Sequence, residues 1–443
     1  MPDEFTTHSL TNMATNNSLL TQLADDISKN IGILTDYLCQ KNLPQPSFDP
    51  NGPLQLPFDA DPSASAARIA LIDASKQLHT LAVGPEETTR YLAFNDISLL
   101  GALHLLCHFQ IPQNIPLDGT PISISSLSAK TGLSPSLLPR FLRMAISNHY
   151  FSEPRPGFIQ HTPWSLPLAK DEKMRAVVWF RFSELLPAVS KLIDTTTQFP
   201  DSASPDDTAF RLAFGDTFFG YKEKHPEHML KFGQFVDAFS TGETADSASA
   251  IAQAYPGWGE LRQKSLVVDV GGGVGHVSAA IAQAHPQLRF CVQDFEDMRG
   301  EAEGCFAKHG VEERVVFAGH NFFDPQPEAT RGAAVYFLRN ILHDWSDVYC
   351  RRILKPIIEA MGPESRIVVA DIVQPEVGVV CKTQDARVRA LDLTMLVMFN
   401  AKERSYEEWE ALFVSVDERL EITAVVGKPM MKRDSLIEVR LRP

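Results

Sequence analysis

The chain lacks the features that mark several classes of protein. It has only six cysteines in 443 residues (Cys39, Cys107, Cys291, Cys305, Cys350 and Cys381), and none form a C-x-x-C pair. Scattered single cysteines suit reduced thiols and a cytoplasmic protein. No run of 18 apolar residues exists, and the best stretch, 99–107, is short and carries His104. No membrane span is expected. The first 30 residues hold Asp3, Glu4, Asp25 and Asp26 and no basic stretch leading into an apolar one, so a secretory signal is not expected. Positive charge is also scarce: 41 Lys and Arg stand against 55 Asp and Glu, a net charge of −14. Such a surface repels phosphate backbones and argues against nucleic acid as a partner. What remains is an ordinary globular composition, 44% apolar and 22% charged, with length for two or three domains.

Four segments follow from the pattern. Residues 1–65 comprise a polar start (1–17), a helix over 19–39 and a strap over 43–65 with Pro44, Pro46, Pro50, Pro53, Pro57 and Pro62. That proline density excludes a helix there. Residues 66–170 begin with helical periodicity over 66–81 and 96–109. A short helix (125–131), a turn (132–134), a second helix (136–147) and two strands around a Pro-Gly turn then give a winged-helix outline. The second helix offers only Arg140 and Arg143, too little cation for DNA, so a dimerising or structural role is expected. Residues 171–255 read as helical, with Phe218, Phe219, Tyr221, Met229, Phe232, Phe235 and Phe239 as helix core or as the wall of an apolar pocket. Residues 256–443 alternate strands (265–270, 288–294, 314–319, 333–338, 366–372) with helices (275–284, 297–309, 346–361, 405–415). Two closing strands, 420–426 and 436–441, are joined through 427–435. Alternation of this kind implies an α/β, mostly parallel, doubly wound sheet.

Chemistry concentrates at one rim of that sheet. In LVVDVGGGVGH (266–276) a strand runs into a glycine loop and then a helix. A dinucleotide loop spaced G-x-G-x-x-G from Gly271 needs glycine at 276, which is His276. Asp269, Gly271, Gly273 and Gly275 give the acidic-x-G-x-G-x-G form instead. A plain tight turn is the alternative. Asp294 ends the next strand, 19 residues after Gly275, where a carboxylate can accept from both hydroxyls of a ribose. After the third strand come His320, Asn321 and Phe322. After the fourth come Arg339, Asn340, His343 and Asp344, with Ser346 or Asp347 placed to cap the next helix, and after the fifth comes Asp371. Ligands of open parallel sheets bind at this carboxyl rim.

From residue 90 onward, and most strongly over 266–404, the chain resembles the S-adenosylmethionine-dependent small-molecule O-methyltransferases of the plant caffeate/flavonoid and fungal secondary-metabolite type. The resemblance implies a Rossmann-like domain with a seven-stranded sheet and an N-terminal winged-helix domain that forms a homodimer. It implies a cofactor site at Gly271, Gly272, Gly273, Asp294, Phe295, Asn321, Phe322 and Arg339. Asn321 stands where many members have Asp, and Arg339 where plant members have Lys. It implies His343 as general base, with Asp371 and Glu403 at the two flanking positions, usually Glu, 28 and 60 residues downstream. The substrate would be a hydroxylated small molecule, aromatic or polyketide-like. Some fungal proteins of this architecture instead dehydrate or cyclise their substrates, and that alternative stays open. No metal is expected: His104/His108 and His225/His228 are paired at helical spacing but lack a third acidic ligand in sequence. A modestly perturbed histidine base would titrate near pKa 6–7.

Overall fold

A computed structural model of the protein describes residues 18–240, 247–427 and 435–442. The polar start (1–17), the side chain of Phe239 and most of the linker expected between the last two strands (428–434) lie outside the described residues. The chain divides into two compact units, one running to Ala102 with Asn114–Leu166, the other containing Leu103–Gln113 and the chain from Pro167.

In the first unit, helix Leu19–Gln40 packs against helix Pro62–Val83 through Leu34, Leu38, Phe58, Ala64 and Ala67. The second helix starts four residues before the expected position. Pro62 opens it because proline has no N–H to leave unpaired at a first turn. The Asp61 carboxylate caps it by accepting from the Ser63 and Ala64 amides, both at 2.9 Å. Further on, helices Ile124–Thr131 and Leu138–Ile146 precede antiparallel strands Phe151–Arg155 and Phe158–His161. Strand Ile122–Ser123 pairs with the latter to complete a three-stranded sheet. Gly132, at φ 76°, takes the left-handed turn that ends the first of these helices.

The second unit is built on seven strands: β1 Leu266–Val270, β2 Arg289–Asp294, β3 Val315–Gly319, β4 Val335–Arg339, β5 Arg366–Asp371, β6 Leu420–Val426 and β7 Ser435–Leu441. Their order is β6-β7-β5-β4-β1-β2-β3, parallel except for β7, which runs antiparallel to β5 and β6. This is the seven-stranded, mostly parallel sheet of the expected Rossmann-like fold. The central strands are buried on both faces, so they read as continuous apolar runs (Val267, Val268, Val270; Val335 to Leu338; Ile367 to Ala370). The chain leaves β1 toward β2 and β3, then crosses back to β4 and β5. The ends of β1 and β4 therefore flank a topological switch point, where the two outgoing segments diverge and leave a crevice.

The described residues between 172 and 254 are mostly helical but broken into short pieces, among them Glu172–Phe180, a π-helical turn Arg181–Leu185, Phe218–Lys224 and Pro226–Ser240. Phe180, Phe210 and Phe218 are buried, and Phe219, Tyr221, Phe232 and Phe235 pack partly buried beside them. Met229 is exposed and leaves the stripe. Their packing partners, Met395, Met398 and Phe399, come from a helix that the sequence pattern missed, Lys382–Phe399. Its buried residues all lie in its last turns, from Thr394, so its first half carries no clear apolar stripe.

On β7, Glu438 accepts from Tyr255 and Arg366 and from Arg440 and Thr423. Burial opposes its charge, but these donors win and bring its pKa down to about 2. A depressed carboxylate stabilises the fold above its unfolded pKa, and that contribution is lost as pH falls through the folded value. Glu438→Gln should therefore cost about 3 kcal/mol at pH 7. The gap to wild type should close between about pH 4.5 and 2, as read by urea denaturation across pH.

Candidate active site

The glycine loop is a backbone cradle. Gly271 and Gly273 sit at φ 70° and 58°, the left-handed region that costs other residues 1–2 kcal/mol or so. A Cβ on Gly271 would stand 2.5 Å from the end of the Ile341 side chain, which would have to move aside. Beneath the loop, Asp269 is buried and accepts from Ser278 Oγ at 2.6 Å; burial pushes its pKa up to about 6. The helix after the loop, His276–Ala284, starts at Gly275 with no side-chain cap, and helix N-termini favour anionic and polar ligands.

Asp294 is pinned at the mouth of this cradle. Its Oδ2 accepts from the Gly273 amide at 2.7 Å and its Oδ1 from the Phe295 amide at 2.8 Å. Burial raises its pKa, and those two amides oppose the rise. The next side chain, Phe295, is 61% exposed, a large apolar surface left open beside the loop. Asn321 turns the chain by accepting from the Phe323 amide at 3.1 Å, and so sets Phe322 edge-on to Trp345 and Phe323. Arg339 ends β4, and its charge acts on Asp269. A glycine cradle, a pinned carboxylate and two aromatic faces at a switch point fit an adenosyl cofactor.

The second cluster centres on His343, in the short turn Leu342–Asp344 after β4. Its Nδ1 lies 2.9 Å from Glu403 Oε1, and its Nε2 lies 3.5 Å from Asp344 Oδ1. Glu403 is completely buried, and Asp371 is buried at the end of β5. The chain brings Glu403 there by pairing Arg404–Ser405 in parallel with Val373–Gln374, just past β5, while Asp392 accepts from the Glu403 amide at 2.9 Å. Glu403 and Arg404 then act on the same turn. Arg404, also fully buried, donates to the carbonyls of Leu342 and Trp345, each at 2.9 Å, and to Asp347 at 2.8 Å. Ser346 does begin the next helix, but its hydroxyl donates to the Ala203 carbonyl at 2.7 Å rather than capping it.

Burial alone would lower the His343 pKa. The carboxylates of Asp344, Glu403 and Asp371 overcome burial and hold it well above the ordinary imidazole value. The expectation of a modestly perturbed base is corrected accordingly: three acids face one imidazole. Burial in turn pushes Asp344 up to about 6. Sequence reasoning placed Asp344 on the rim but gave it no part beside His343, and it missed Arg404. The second has no local signal, because its partners lie 57 to 62 residues away. Among the described residues no cluster of His, Cys, Asp and Glu could hold a metal, and no helix is long and apolar enough to cross a membrane.

Comparison with known proteins agrees with this geometry. An O-methyltransferase domain is matched over residues 197–416. The O-methyltransferase aurJ of Gibberella zeae is 34% identical over 91% of this chain and 93% of its own. The O-methyltransferase bik3 of Gibberella fujikuroi is 32% identical over 96% and 93%. The chain therefore belongs to the S-adenosylmethionine-dependent O-methyltransferases, in the company of fungal secondary-metabolite enzymes. Its fold is shared with OxaC, solved with S-adenosylhomocysteine and oxaline (TM-score 0.74, 22% identity, 96% of this chain and 100% of that one). The same fold is found in LepI with S-adenosylmethionine (TM-score 0.72, 22% identity, 95% and 100%).

Removing the pinned carboxylate should weaken the cofactor. Asp294→Ala should lose about 10- to 100-fold in S-adenosylmethionine affinity by calorimetry, the scale of one or two hydrogen bonds to a charged group. Unchanged affinity would exclude Asp294 from the cofactor site.

Proposed function

We propose that the protein methylates a hydroxyl of an aromatic or polyketide-like metabolite, with His343 as general base. The carrying observation is the 2.9 Å contact between His343 Nδ1 and the fully buried Glu403. An ionised carboxylate only accepts, so Nδ1 carries the proton and Nε2 is the atom left to take one from a substrate. A phenol with a pKa near 10 is mostly protonated at neutral pH, so removing its proton as the oxygen attacks raises its nucleophilicity. S-adenosylmethionine, held by Gly271–Gly273, Asp294, Phe295, Asn321, Phe322 and Arg339, supplies an electrophilic methyl group on a sulfonium. Glu403, Asp371 and Asp344 stabilise the imidazolium that His343 becomes. Arg404 keeps the turn in place, so that the base meets the substrate oxygen without reorganising. The imidazole–carboxylate constellation at this rim favours methyl transfer over dehydration or pericyclic chemistry.

We also infer that the N-terminal residues, to about 170, form a winged-helix dimerisation domain and that the protein is a homodimer. Support comes from Tyr91, Leu92, Phe94 and Ile97, successive large apolar side chains that are 45–71% exposed in the first unit. Such a patch calls for a partner surface.

His343→Gln keeps size and polarity but cannot take a proton at neutral pH. Product 14 Da heavier than the substrate, the mass of CH₂ gained when CH₃ replaces H, should form about 10²-fold more slowly or worse, with cofactor affinity near wild type. Retained turnover would remove the base assignment. A product of unchanged mass, or one lighter by water, would replace methyl transfer altogether. Light scattering should give twice the 49.2 kDa chain mass, and a 49.2 kDa particle at micromolar concentration would reject the dimer.

A further inference from the structure

A third stretch of chain joins the two segments that meet at His343 and Glu403. Three consecutive carbonyls, those of residues 202–204, accept hydrogen bonds from them. Asn400 Nδ2 donates to the Ser202 carbonyl at 2.8 Å and to the Ser204 carbonyl at 3.1 Å. Ser346 Oγ donates to the carbonyl between those two, that of Ala203, at 2.7 Å. Asn400 stands three residues before Glu403, and Ser346 three residues after His343. The stretch is shaped by its own bonds. Ser202 Oγ donates to Asp207 at 2.6 Å and accepts from the Ser204 amide at 3.1 Å, and the Asp207 amide donates to the Ser204 carbonyl at 3.1 Å. Beyond it, helix Ala209–Phe214 is anchored by Phe210 in the aromatic cluster that also holds Met398 and Phe399.

Both donors depart from the commoner use of their positions. Ser346 is the N-cap of helix Asp347–Ala360, where a serine ordinarily accepts from first-turn amides, and this one makes no such bond. Asn400 ends helix Lys382–Phe399 at φ 56°, a left-handed position where glycine is the commoner residue. Asparagine there supplies an amide nitrogen with two hydrogens, and both of its partners are carbonyls that only accept. The segments so joined have little secondary structure of their own. His343 lies in a three-residue turn, and Glu403 precedes a two-residue strand. Segments of that kind are held by few bonds and open readily. Arg404 joins the two directly, and residues 202–204 join them a second time.

We propose that residues 202–204 clasp the two halves of the His343–Glu403 pair, and that Asn400 and Ser346 are positioning residues that act through this clasp on the imidazole. Facing His343 are Glu403, Asp371 at the end of β5 and Asp344 from its own turn, all carboxylates whose charge favours the imidazolium. The Arg404 guanidinium lies on carbonyls of the same turn. With the clasp open, Glu403 draws away from Nδ1, and the ring, still buried, holds its proton less tightly. The catalytic weight of the clasp rests on the reading of His343 as base. The ring's own titration is read without substrate or turnover, so the two can fail separately.

The test uses the full-length protein labelled with ¹³C at the histidine ring carbon Cε1, with His343 assigned by the signal missing from His343→Gln. Asn400→Gly keeps the left-handed backbone without steric cost and removes the amide. Ser346→Ala removes the hydroxyl, and Ser346→Thr keeps one. In Asn400→Gly and in Ser346→Ala the His343 titration midpoint should fall by about half a pH unit or more toward the ordinary value of about 6.5, while Ser346→Thr stays near wild type. Calorimetry should find the affinity for S-adenosylmethionine within about twofold of wild type in all three, because the glycine cradle and Asp294 are left intact. An unmoved midpoint in Asn400→Gly or in Ser346→Ala would overturn the proposal. So would a fall as large in Ser346→Thr as in Ser346→Ala, or a fall accompanied by loss of cofactor affinity.

Discussion

A carboxylate without access to water must find a partner, and the site is organised around meeting that demand at Glu403. Leaving such a charge uncompensated costs several kcal/mol, on the order of 3–5. The structure answers with the His343 imidazole at 2.9 Å, so each group fixes the other. The turn carrying His343 is itself held by Arg404, the next residue along from Glu403. Two consecutive residues, Glu403 just before a two-residue strand and Arg404 at its start, thus orient the ring and hold its backbone in position. Asp371 and Asp344 add field to the same ring, and the result is an imidazole that holds its proton more tightly than a free one does.

The sheet makes this meeting possible. Strands β1 and β4 are neighbours although 64 residues of chain lie between Val270, the end of one, and Val335, the start of the other; the glycine loop follows β1 and the His343 turn follows β4. The glycine loop and His343 therefore open on one crevice. Strand β5 lies beside β4 and brings Asp371 to the same rim. The helical residues from 172 onward and the helix Lys382–Phe399 contribute an aromatic lobe, beside which His228 meets the buried Glu184.

The parts of this architecture that depend on neighbours in sequence were legible from sequence. The glycine loop, Asp294 at a strand end and the His343 turn are local patterns, and β1 to β5 fall within two residues of where alternation places them. Parts decided by distant packing were not. The Lys382–Phe399 helix buries mainly its last turns, so its periodicity is weak. Arg404 reads as one charge in AKERS until its carbonyl partners are known. His225 and His228 drew notice as a spaced pair that could have ligated metal. The partner that defines His228 is Glu184, 44 residues earlier, turned inward by a π-helical irregularity that no sequence period announces.

The central claim is that carboxylates tune His343 as the base, and the pH dependence of single-turnover methyl transfer tests it most directly. In the wild type the rate should rise with pH through a group above the ordinary imidazole value of about 6.5, because the base works only once deprotonated. Glu403→Gln removes a charge that favours the imidazolium, so the rise should move to lower pH while the plateau falls. A flat wild-type profile, or a midpoint that Glu403→Gln leaves in place, would contradict the account.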